Sequence, residues 1–241
     1  MESNNQRFWP IGTFVNMTTV AVGSIIGLLL QKTFPENIQH IVFQAIGLST
    51  LLIGMKMAFK VEGNYLLVVI FSMILGGIFG ELIGLKEILT ALSESVKHLF
   101  AIEDNLFTQG LITSFLLFCV GSMTIVGAIE EGLEGKRALL YIKSTLDGVS
   151  SIAFASTYGI GVLFSIFPML IFQGGMTILA NKLQHLFTAT IINQLNGVGG
   201  LLIIGIGINL LHLGAVNIEN LLPALVIVVV ITWFYDRLRM K

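Results

Sequence analysis

Charged residues are scarce in this sequence, and their scarcity excludes most soluble folds. Asp, Glu, Lys and Arg make up 11% of the 241 residues, whereas soluble domains carry roughly 25%. The single cysteine, Cys119, excludes both a disulfide framework and a cysteine metal site within one chain. A formal net charge of −1 and the lack of any basic block give no reason to expect a nucleic acid partner.

Catalytic patterns are missing as well. The sequence has no H-E-x-x-H, no G-x-S-x-G and no phosphate-binding glycine loop, and its four histidines show no ligand spacing. We therefore expect neither an enzyme nor a bound metal or cofactor. The apolar run after Trp9 lacks a strong basic region before it and an A-x-A site, so we expect it to remain as a first membrane span.

Long apolar runs are what the sequence has instead. Hydrophobic residues make up 55% of the chain, the mean hydropathy is +0.90, and several runs reach the roughly 20 residues needed to cross a bilayer core. These features predict an all-α fold, a polytopic transmembrane helix bundle that forms a single integral membrane domain over residues 1–241. The predicted spans are 11–30, 38–58, 64–84, 108–129, 139–156, 157–181, 190–213 and 220–235.

The number of spans depends on segment 139–156, which is short and polar at its start. Counting it gives eight spans, and joining it to the next segment gives seven. Lys and Arg accumulate in cytoplasmic loops, and eight spans place ten of the 13 on one side. Seven spans divide them six against seven. The asymmetry favours eight spans, with both termini in the cytoplasm.

Residues 85–102 form a separate element in the predicted outer loop. Apolar residues recur there at helical spacing, and the opposite face carries charged and hydroxyl side chains. We expect an amphipathic helix that lies in the membrane interface. A helix packed across the mouth of the bundle is the alternative.

A weak internal repeat relates the two ends of the chain. QAIGLSTLLI, starting at Gln44, aligns without a gap with QLNGVGGLLI, starting at Gln194. Repeat one would cover 11–84 and repeat two 157–235, with central spans at 108–156. Partners five spans apart run in opposite directions, which is the inverted arrangement common in secondary transporters. Apolar sequences also resemble one another by chance, so the match alone leaves both interpretations open.

The most polar stretch between apolar runs is GAIEEGLEGKRALLYIKSTLDGVSS, residues 127–151. Lys143 and Asp147 are four residues apart and share a helix face, so we expect them to pair. Ser150 and Ser151 continue that face one turn further on. The stripe therefore predicts a polar path that descends from the cytoplasmic surface into the bilayer.

Glu130 and Glu131 lie at the cytoplasmic end of the preceding span. With Asp147 they would attract cations, and they indicate an entrance for a cation or a proton. The alternative is that all these groups are ordinary interface charges. Lys143 would then extend to the surface and Asp147 would cap a helix.

Further polar groups lie deeper in the apolar runs. Pro168 is predicted to break or kink its span just ahead of Gln173, and Gly174 and Gly175 follow, so this segment is a candidate unwound binding site.

Three amides complete the predicted set. Gln44 and Gln194 would face each other across the axis of the repeat, and Asn196 lies close by in sequence. These amides would either bind a polar solute or tie helices together.

Small-xxx-small glycine patterns occur in GSIIG (Gly23 and Gly27) and GGIFGELIG (Gly76, Gly80 and Gly84). Such patterns let helix backbones approach closely. We expect most of them to pack helices within the bundle and some to line a contact in a homo-oligomer.

The motifs GAIEEGL, KSTLDGVSSIAFAS, GIGVLFS and P-x-L-I-x-Q-G-G carry a resemblance to a known family. The chain resembles the bacterial multi-pass membrane proteins catalogued as "domain of unknown function 554", over nearly its whole length and most strongly from Gly127 to Gly175. The resemblance implies a protein of the bacterial plasma membrane, often labelled a transporter, with no established substrate. The family's motif positions are Glu130, Lys143, Asp147, Ser156, Pro168 and Gln173.

Taken together, these features predict a transport protein for a small solute or ion, coupled to a cation or proton. An ion channel is the nearest alternative. A membrane scaffold or regulator, whose glycines and amides only pack helices, is a further one.

Overall fold

The structure, a computed structural model, describes residues 9–33 and 35–239. Within those ranges every regular element is helical, so the predicted all-α fold is confirmed. The helices are α1 (Ile11–Thr33), α2 (Glu36–Ala58), α3 (Leu66–Leu82), α4 (Leu85–Leu99), α5 (Phe107–Cys119), α6 (Ser122–Glu134), α7 (Ala138–Tyr158), α8 (Gly161–Phe164), α9 (Ile166–Met169), α10 (Gly175–Ile178), α11 (Ala180–Leu183), α12 (Ala189–Leu210), α13 (Ile218–Leu221) and α14 (Ala224–Arg239). A 3-10 turn (Gly63–Tyr65) precedes α3, and a π-helical turn (Leu170–Gly174) joins α9 to α10.

The spans follow from helix length and composition. Six helical segments of the described chain are long and apolar enough to cross a membrane, and the bent pair α5–α6 makes a seventh if it counts as one span. α7 has 21 residues and is about 31 Å long at 1.5 Å per residue. It matches a hydrocarbon core of roughly 30 Å, although its charged and hydroxyl side chains make it more polar. α7 is not among the six or seven candidate spans, so the predicted count of eight, which includes it, stays a prediction.

Hydrogen bonds near the helix termini define the two ends of the bundle. At one end, the backbone N–H of Gly12 in α1 donates to Glu131 in the last turn of α6, at 2.9 Å. At the other end, Asp104 before α5 accepts from the N–H of Ile160 after α7, at 3.1 Å. We name these the Arg137 end and the Asp104 end.

Basic residues are unevenly divided between the two ends. The Asp104 end carries Lys86 and Lys97, both in α4. The Arg137 end carries Lys60, Lys136, Arg137, Lys182 and Arg237. The cytoplasmic location of the Arg137 end, expected from the Lys and Arg bias, stays a prediction. The extreme termini, residues 1–8 and 240–241, lie outside the described residues.

α1 and α7 run parallel, with backbone against backbone. Gly23 lies against Gly148, and four residues on Gly27 lies against the Ile152 carbonyl. A Cβ added at Gly23 would overlap the carbonyl oxygen of Gly148 and the hydroxyl of Ser151. The GSIIG pattern therefore closes a helix contact within the chain.

The second glycine pattern packs α3 antiparallel to α13 and α14. Gly76 lies against Ala224, and Gly80 lies against the backbone of Asn220. Gly84 has a left-handed conformation (φ 63°, ψ 44°) and begins α4. Since both glycine patterns are covered within the chain, neither offers a surface to a second subunit. The homo-oligomer stays a prediction.

α2 and α12 form a long antiparallel pair, in which α12 is the more buried helix. Gly47 in α2 lies against Leu211 at the end of α12, and Gly197 in α12 lies against Val61 just after α2. Gly47 and Gly197 are the aligned glycines of the proposed repeat, and their contacts are equivalent. Contact of spans two and seven, and of spans three and eight, is compatible with an inverted repeat. The repeat itself stays a prediction.

The predicted meeting of Gln44 with Gln194 is wrong. Gln44 is exposed in the half of α2 towards the Asp104 end, whereas Gln194 is fully buried near the Arg137 end of α12. An inverted repeat places equivalent residues at equal depths on opposite sides of the midplane. Only residues at the crossing point of the two helices can therefore meet their equivalents.

α4 forms within the predicted amphipathic segment. Its apolar residues are largely uncovered, with Ile88, Leu92 and Leu99 exposed by 47%, 59% and 77%. A helix packed across the mouth of the bundle would bury these side chains. Their exposure fits a helix lying in the membrane interface.

The parallel contact between α1 and α7 generates a stability prediction. Gly23→Ala should lower the apparent melting temperature and the folded yield, because overpacking at a closed contact costs about 1–3 kcal/mol. Gly175→Ala is the matched control, since an added Cβ there meets nothing within 4 Å and alanine favours helix by about 1 kcal/mol. Size-exclusion chromatography of the heated, detergent-solubilised variants measures both quantities. Equal behaviour of the two variants would contradict the close contact.

Candidate functional site

The fourth span is broken near its middle. α5 and α6 meet at 61°, and Gly121 between them is extended (φ −171°, ψ 153°). Side chains form hydrogen bonds with the backbone groups that have no helical partner at the break. The Thr124 hydroxyl donates to the Phe118 carbonyl at 3.0 Å, and the Ser122 N–H donates to Oδ1 of Asn196 at 3.1 Å. Irregular backbone at membrane depth is tolerated where it lies in protein or lines a cavity.

A cavity of about 220 Å³ lies at this break. α7 contributes Lys143 and Asp147 to its wall, α12 contributes Asn196, and the start of α6 contributes Ser122. Lys60, in the loop after α2, is exposed and lies at the Arg137 end of the cavity, with its ammonium 3.5 Å from the Ser122 hydroxyl. We name this space the inner cavity.

Beside the inner cavity, four polar side chains from three spans meet in the bundle. Lys143 and Asp147 form an ion pair within α7 and are only 5% and 8% exposed. Asn16 of α1 donates through Nδ2 to Asp147 at 2.9 Å and to Oε1 of Gln173 at 3.1 Å. We name these residues the Asp147 cluster. Asp147 lies about 14 Å along α7 from Ala138, close to the middle of a hydrocarbon core of roughly 30 Å.

The Asp147 cluster is not fully satisfied. Among the described atoms, Oδ1 of Asn16 and Nε2 of Gln173 are buried without a hydrogen-bond partner. Buried polar groups in folded proteins almost always have partners, and an exception calls for a water, an ion or a ligand. The cluster therefore has one free acceptor and one free donor that a small polar ligand could use.

Gln173 reaches the cluster from a π-helical turn and not from an unwound segment, so that part of the prediction is wrong. Gly174 (φ −65°, ψ −41°) and Gly175 (φ −60°, ψ −42°) are both right-handed helical. Pro168 lies in the first turn of α9, where the missing N–H is tolerated. A π turn inserts one extra residue into the helix and is frequent at functional sites.

The two predicted glutamates lie apart from the Asp147 cluster. Glu131 is fully buried, and its Oε1 accepts from the N–H of Gly12 at 2.9 Å and from Nε of Arg137 at 2.8 Å. Glu130 is half-buried beside it. About 14 Å of helix separates Glu131 from Ser122 at the inner cavity. The predicted group of three neighbouring acids is therefore not formed, because the two glutamates close the Arg137 end of α6.

The remaining predicted residues have structural positions. Ser151 is buried in the contact with α1 and donates to the carbonyl of Gly148 at 2.8 Å, whereas Ser150 is half-buried on the neighbouring face. Gln194 is fully buried, and neither of its amide atoms has a partner in the described part of the chain. In the loop at the Arg137 end, a hydrogen bond and the charge of Glu134 raise the pKa of the exposed Lys136.

Three features of the candidate site were not among the residues predicted to form it. Asn16 links α1 to the cluster, Lys60 borders the inner cavity, and the fourth span breaks at Gly121. The Val-Gly-Ser sequence at 120–122 was the available signal for the break, because glycine beside serine inside an apolar run is a turn signal.

A second cavity, of about 380 Å³, opens at the Asp104 end. Gln109 and Thr113 of α5 line one side, and Asn209 and His212 at the end of α12 line another. We name it the outer cavity. No group of three or more His, Cys, Asp or Glu side chains suited to a metal ion occurs among the described residues.

The helix count, the broken fourth span and the buried ion pair define an integral membrane protein of the polytopic helical class. The chain belongs to the family described as "Protein of unknown function (DUF554)", whose model matches residues 11–233. The predicted family resemblance is thus confirmed.

Two curated relatives match most of the chain. An "Uncharacterized membrane protein YdfK" of Bacillus subtilis (strain 168) is 32% identical over 218 residues, covering 90% of this chain and 93% of the relative. An "Uncharacterized protein YqgA" of Escherichia coli (strain K12) is 29% identical over 222 residues, covering 90% and 94%. No solved structure matches the chain.

The buried ion pair generates a second prediction. Lys143→Met and Asp147→Asn should each strongly destabilise the fold, because removal of one partner of a buried pair costs about 3–5 kcal/mol. The double variant should be more stable than either single one, since no uncompensated charge is left. Apparent melting temperatures in detergent, analysed as a double-mutant cycle, measure the coupling.

The exposed pair between Lys97 and Glu94 on α4 (2.9 Å) provides the control cycle. Its coupling should be small, since exposed pairs contribute about 0–1 kcal/mol. Additive effects of the two α7 substitutions would show that Lys143 and Asp147 do not pair in the folded protein.

Proposed function

We propose that this protein moves a small solute or ion across the bacterial plasma membrane, with the Asp147 cluster at the centre of the path. The observation that carries the proposal is the position of this cluster, buried in mid-bundle beside a cavity at a broken span. Ionisable groups inside a membrane are costly, and they commonly mark ion or substrate paths. Broken spans around such groups are typical of secondary transporters.

The two cavities support a transport path that is closed between them by buried side chains. The inner and outer cavities lie on opposite sides of the bundle but share α5 and α12 as walls. Between them along these helices are Leu116, Leu202 and Ile203, which are fully buried. On α5 the barrier from Thr113 to Leu117 measures only about 6 Å. A barrier of buried apolar side chains between the two cavities, longer along α12 (about 15 Å from Asn196 to Ile206) than along α5, favours a carrier over an open channel.

The break at Gly121 is the hinge that this mechanism would use. α5 and α6 are joined only by the extended residues 120–121, so α6 can tilt with little change in either helix. Hinges of this kind are a few residues at helix ends that absorb the change in φ and ψ. Tilting would open the inner cavity towards the barrier and alter access to the Asp147 cluster.

Coupling to protons would operate through Asp147. A proton on its carboxylate removes the charge that holds Lys143, so protonation and the release of Lys143 are linked. Lys143 of its own helix, Lys60 at the inner cavity and the buried thiol of Cys119 are the ionisable groups near it. Asn16 would keep its hydrogen bond to Asp147 after protonation, because a protonated carboxyl group still has an oxygen that accepts.

An assay that works without an identified substrate tests the proposal. Membrane vesicles with and without the protein are incubated with a small-molecule extract of the host cells, and their contents are compared by mass spectrometry. We expect at least one solute to accumulate with the wild-type protein. Gln173→Ala should reduce its flux by about tenfold, because loss of a hydrogen bond in the site costs about 1–2 kcal/mol.

Thr145→Val is the matched control for this assay. Thr145 is exposed on the lipid-facing side of α7, two residues from Asp147, and the change preserves its shape. The control should transport as the wild type does at equal folded amount. Absence of any accumulated solute, or equal flux in Gln173→Ala, would exclude the proposed path and favour a scaffold.

A further inference from the structure

We propose that the inner cavity binds a small oxyanion such as a carboxylate. The ligand would lie between Asn196, the start of α6 and Lys60. The inference deepens the proposed function, on which it rests for the role of the anion as cargo. The binding site itself stands on its own contacts. The sequence alone had suggested attraction of cations.

Asn196 carries the first observation. It is only 2% exposed, and it lines the inner cavity from α12. Its Oδ1 accepts the N–H of Ser122 at 3.1 Å, which fixes the orientation of the amide, because only the oxygen can accept. Nδ2 is therefore a donor, and no atom in the described ranges accepts from it. A buried donor without an acceptor indicates a ligand that supplies one.

The start of α6 carries the second observation. α6 has 13 residues, and Gly121, Ser122 and Met123 at its beginning all line the inner cavity. The N–H groups of Ser122 and Thr124 already donate, to Asn196 and to the Gly121 carbonyl, so the partial positive charge of the helix N-terminus is what favours an anion here. The Ser122 hydroxyl lies at the same position and is a further donor.

The charges of the inner cavity point the same way. Its ionisable lining groups are Lys60, Lys143 and Asp147. Asp147 is already held by Lys143 and by Asn16, so its charge is compensated within the protein. Lys60 has no other carboxylate among the lining residues to pair with. The cavity therefore has one cation in excess, in addition to the positive end of α6.

Size and access limit the ligand. A volume of about 220 Å³ is below the roughly 300–1,000 Å³ of sites for drug-sized molecules, so a compact anion such as formate or acetate fits best. The exposed position of Lys60 places a positive charge where a solute would enter from the Arg137 end. Positive charge at the mouth of a cleft concentrates anions there.

Thiol chemistry can measure this preference directly. In a Cys119→Ala background, the full-length protein carries Ser122→Cys in the inner cavity. Its rates of modification by an anionic and a cationic methanethiosulfonate reagent of similar size are compared, each relative to a free thiol in solution. We expect the anionic reagent to be favoured by about tenfold, which corresponds to 1.4 kcal/mol of electrostatic preference. Formate and acetate should slow the modification, whereas a bulky sulfonate buffer of equal ionic strength should not.

Two substitutions test which residues cause the reagent preference and the protection by acetate. Asn196→Asp keeps the acceptor for the Ser122 N–H and the fold of the break, but it replaces the free donor by a negative oxygen. It should abolish both the reagent preference and the protection by acetate. Lys60→Gln alters only an exposed side chain, and it should reduce the preference several-fold. Asn193→Asp is the control for an added charge on α12 outside the inner cavity, where the lost donor serves Glu62 and not a cavity ligand, and it should leave the protection by acetate unchanged.

The outcomes separate this site from the transport proposal. Preference for the cationic reagent, or protection that survives both Asn196→Asp and Lys60→Gln, would overturn the anion site. Anion protection in a protein that moves no solute would retain the site and exclude only its role in transport. Transport without anion protection would retain the path and overturn the site.

Discussion

The direct backbone contact of α1 with α7 is the constraint on which the rest of the site depends. Gly23 and Gly148 let the two helices approach until their backbones touch, and this approach brings Asn16 to within 2.9 Å of Asp147. A buried ion pair is stable only where further hydrogen bonds satisfy its remaining lone pairs. With larger residues in place of the glycines, α1 would pack further from α7, and the carboxylate of Asp147 would lose its hydrogen bond from Asn16.

The broken fourth span imposes the second constraint. A backbone that leaves the helix at membrane depth must find hydrogen bonds elsewhere, because lipid supplies none. Here Thr124 satisfies a carbonyl of α5, and Asn196 satisfies an N–H of α6. The second of these bonds ties the break to α12, the most buried of the long spans. A hydrogen bond therefore links the break to the α2–α12 pair, and a movement of α6 would displace residues at the centre of the bundle.

Sequence reasoning predicted what depends on local periodicity. The apolar runs gave the spans, and the four-residue spacing of Lys143 and Asp147 gave their pairing, because a helix brings such residues to one face. The partner of that pair, Asn16, could not be predicted, since its role depends on which helix packs against α7. Gln44 was misplaced because the symmetry argument ignored membrane depth. Pro168 does lie beside an interruption, since α8 ends at Phe164 and α9 begins at Ile166, but the segment after it is π-helical and not unwound.

The two constraints meet at Lys143, which faces both Asp147 and the inner cavity. An anion held by Asn196 and the start of α6 would lie in the same cavity as this ammonium and would compete with Asp147 for it. A proton on Asp147 would remove that competition and so strengthen the binding of the anion. Binding linkage is reciprocal, so the anion would favour protonation of Asp147 by the same factor. In the proposed transport, the anion and the proton would therefore bind together, because one lysine cannot be fully paired with two negative charges at once.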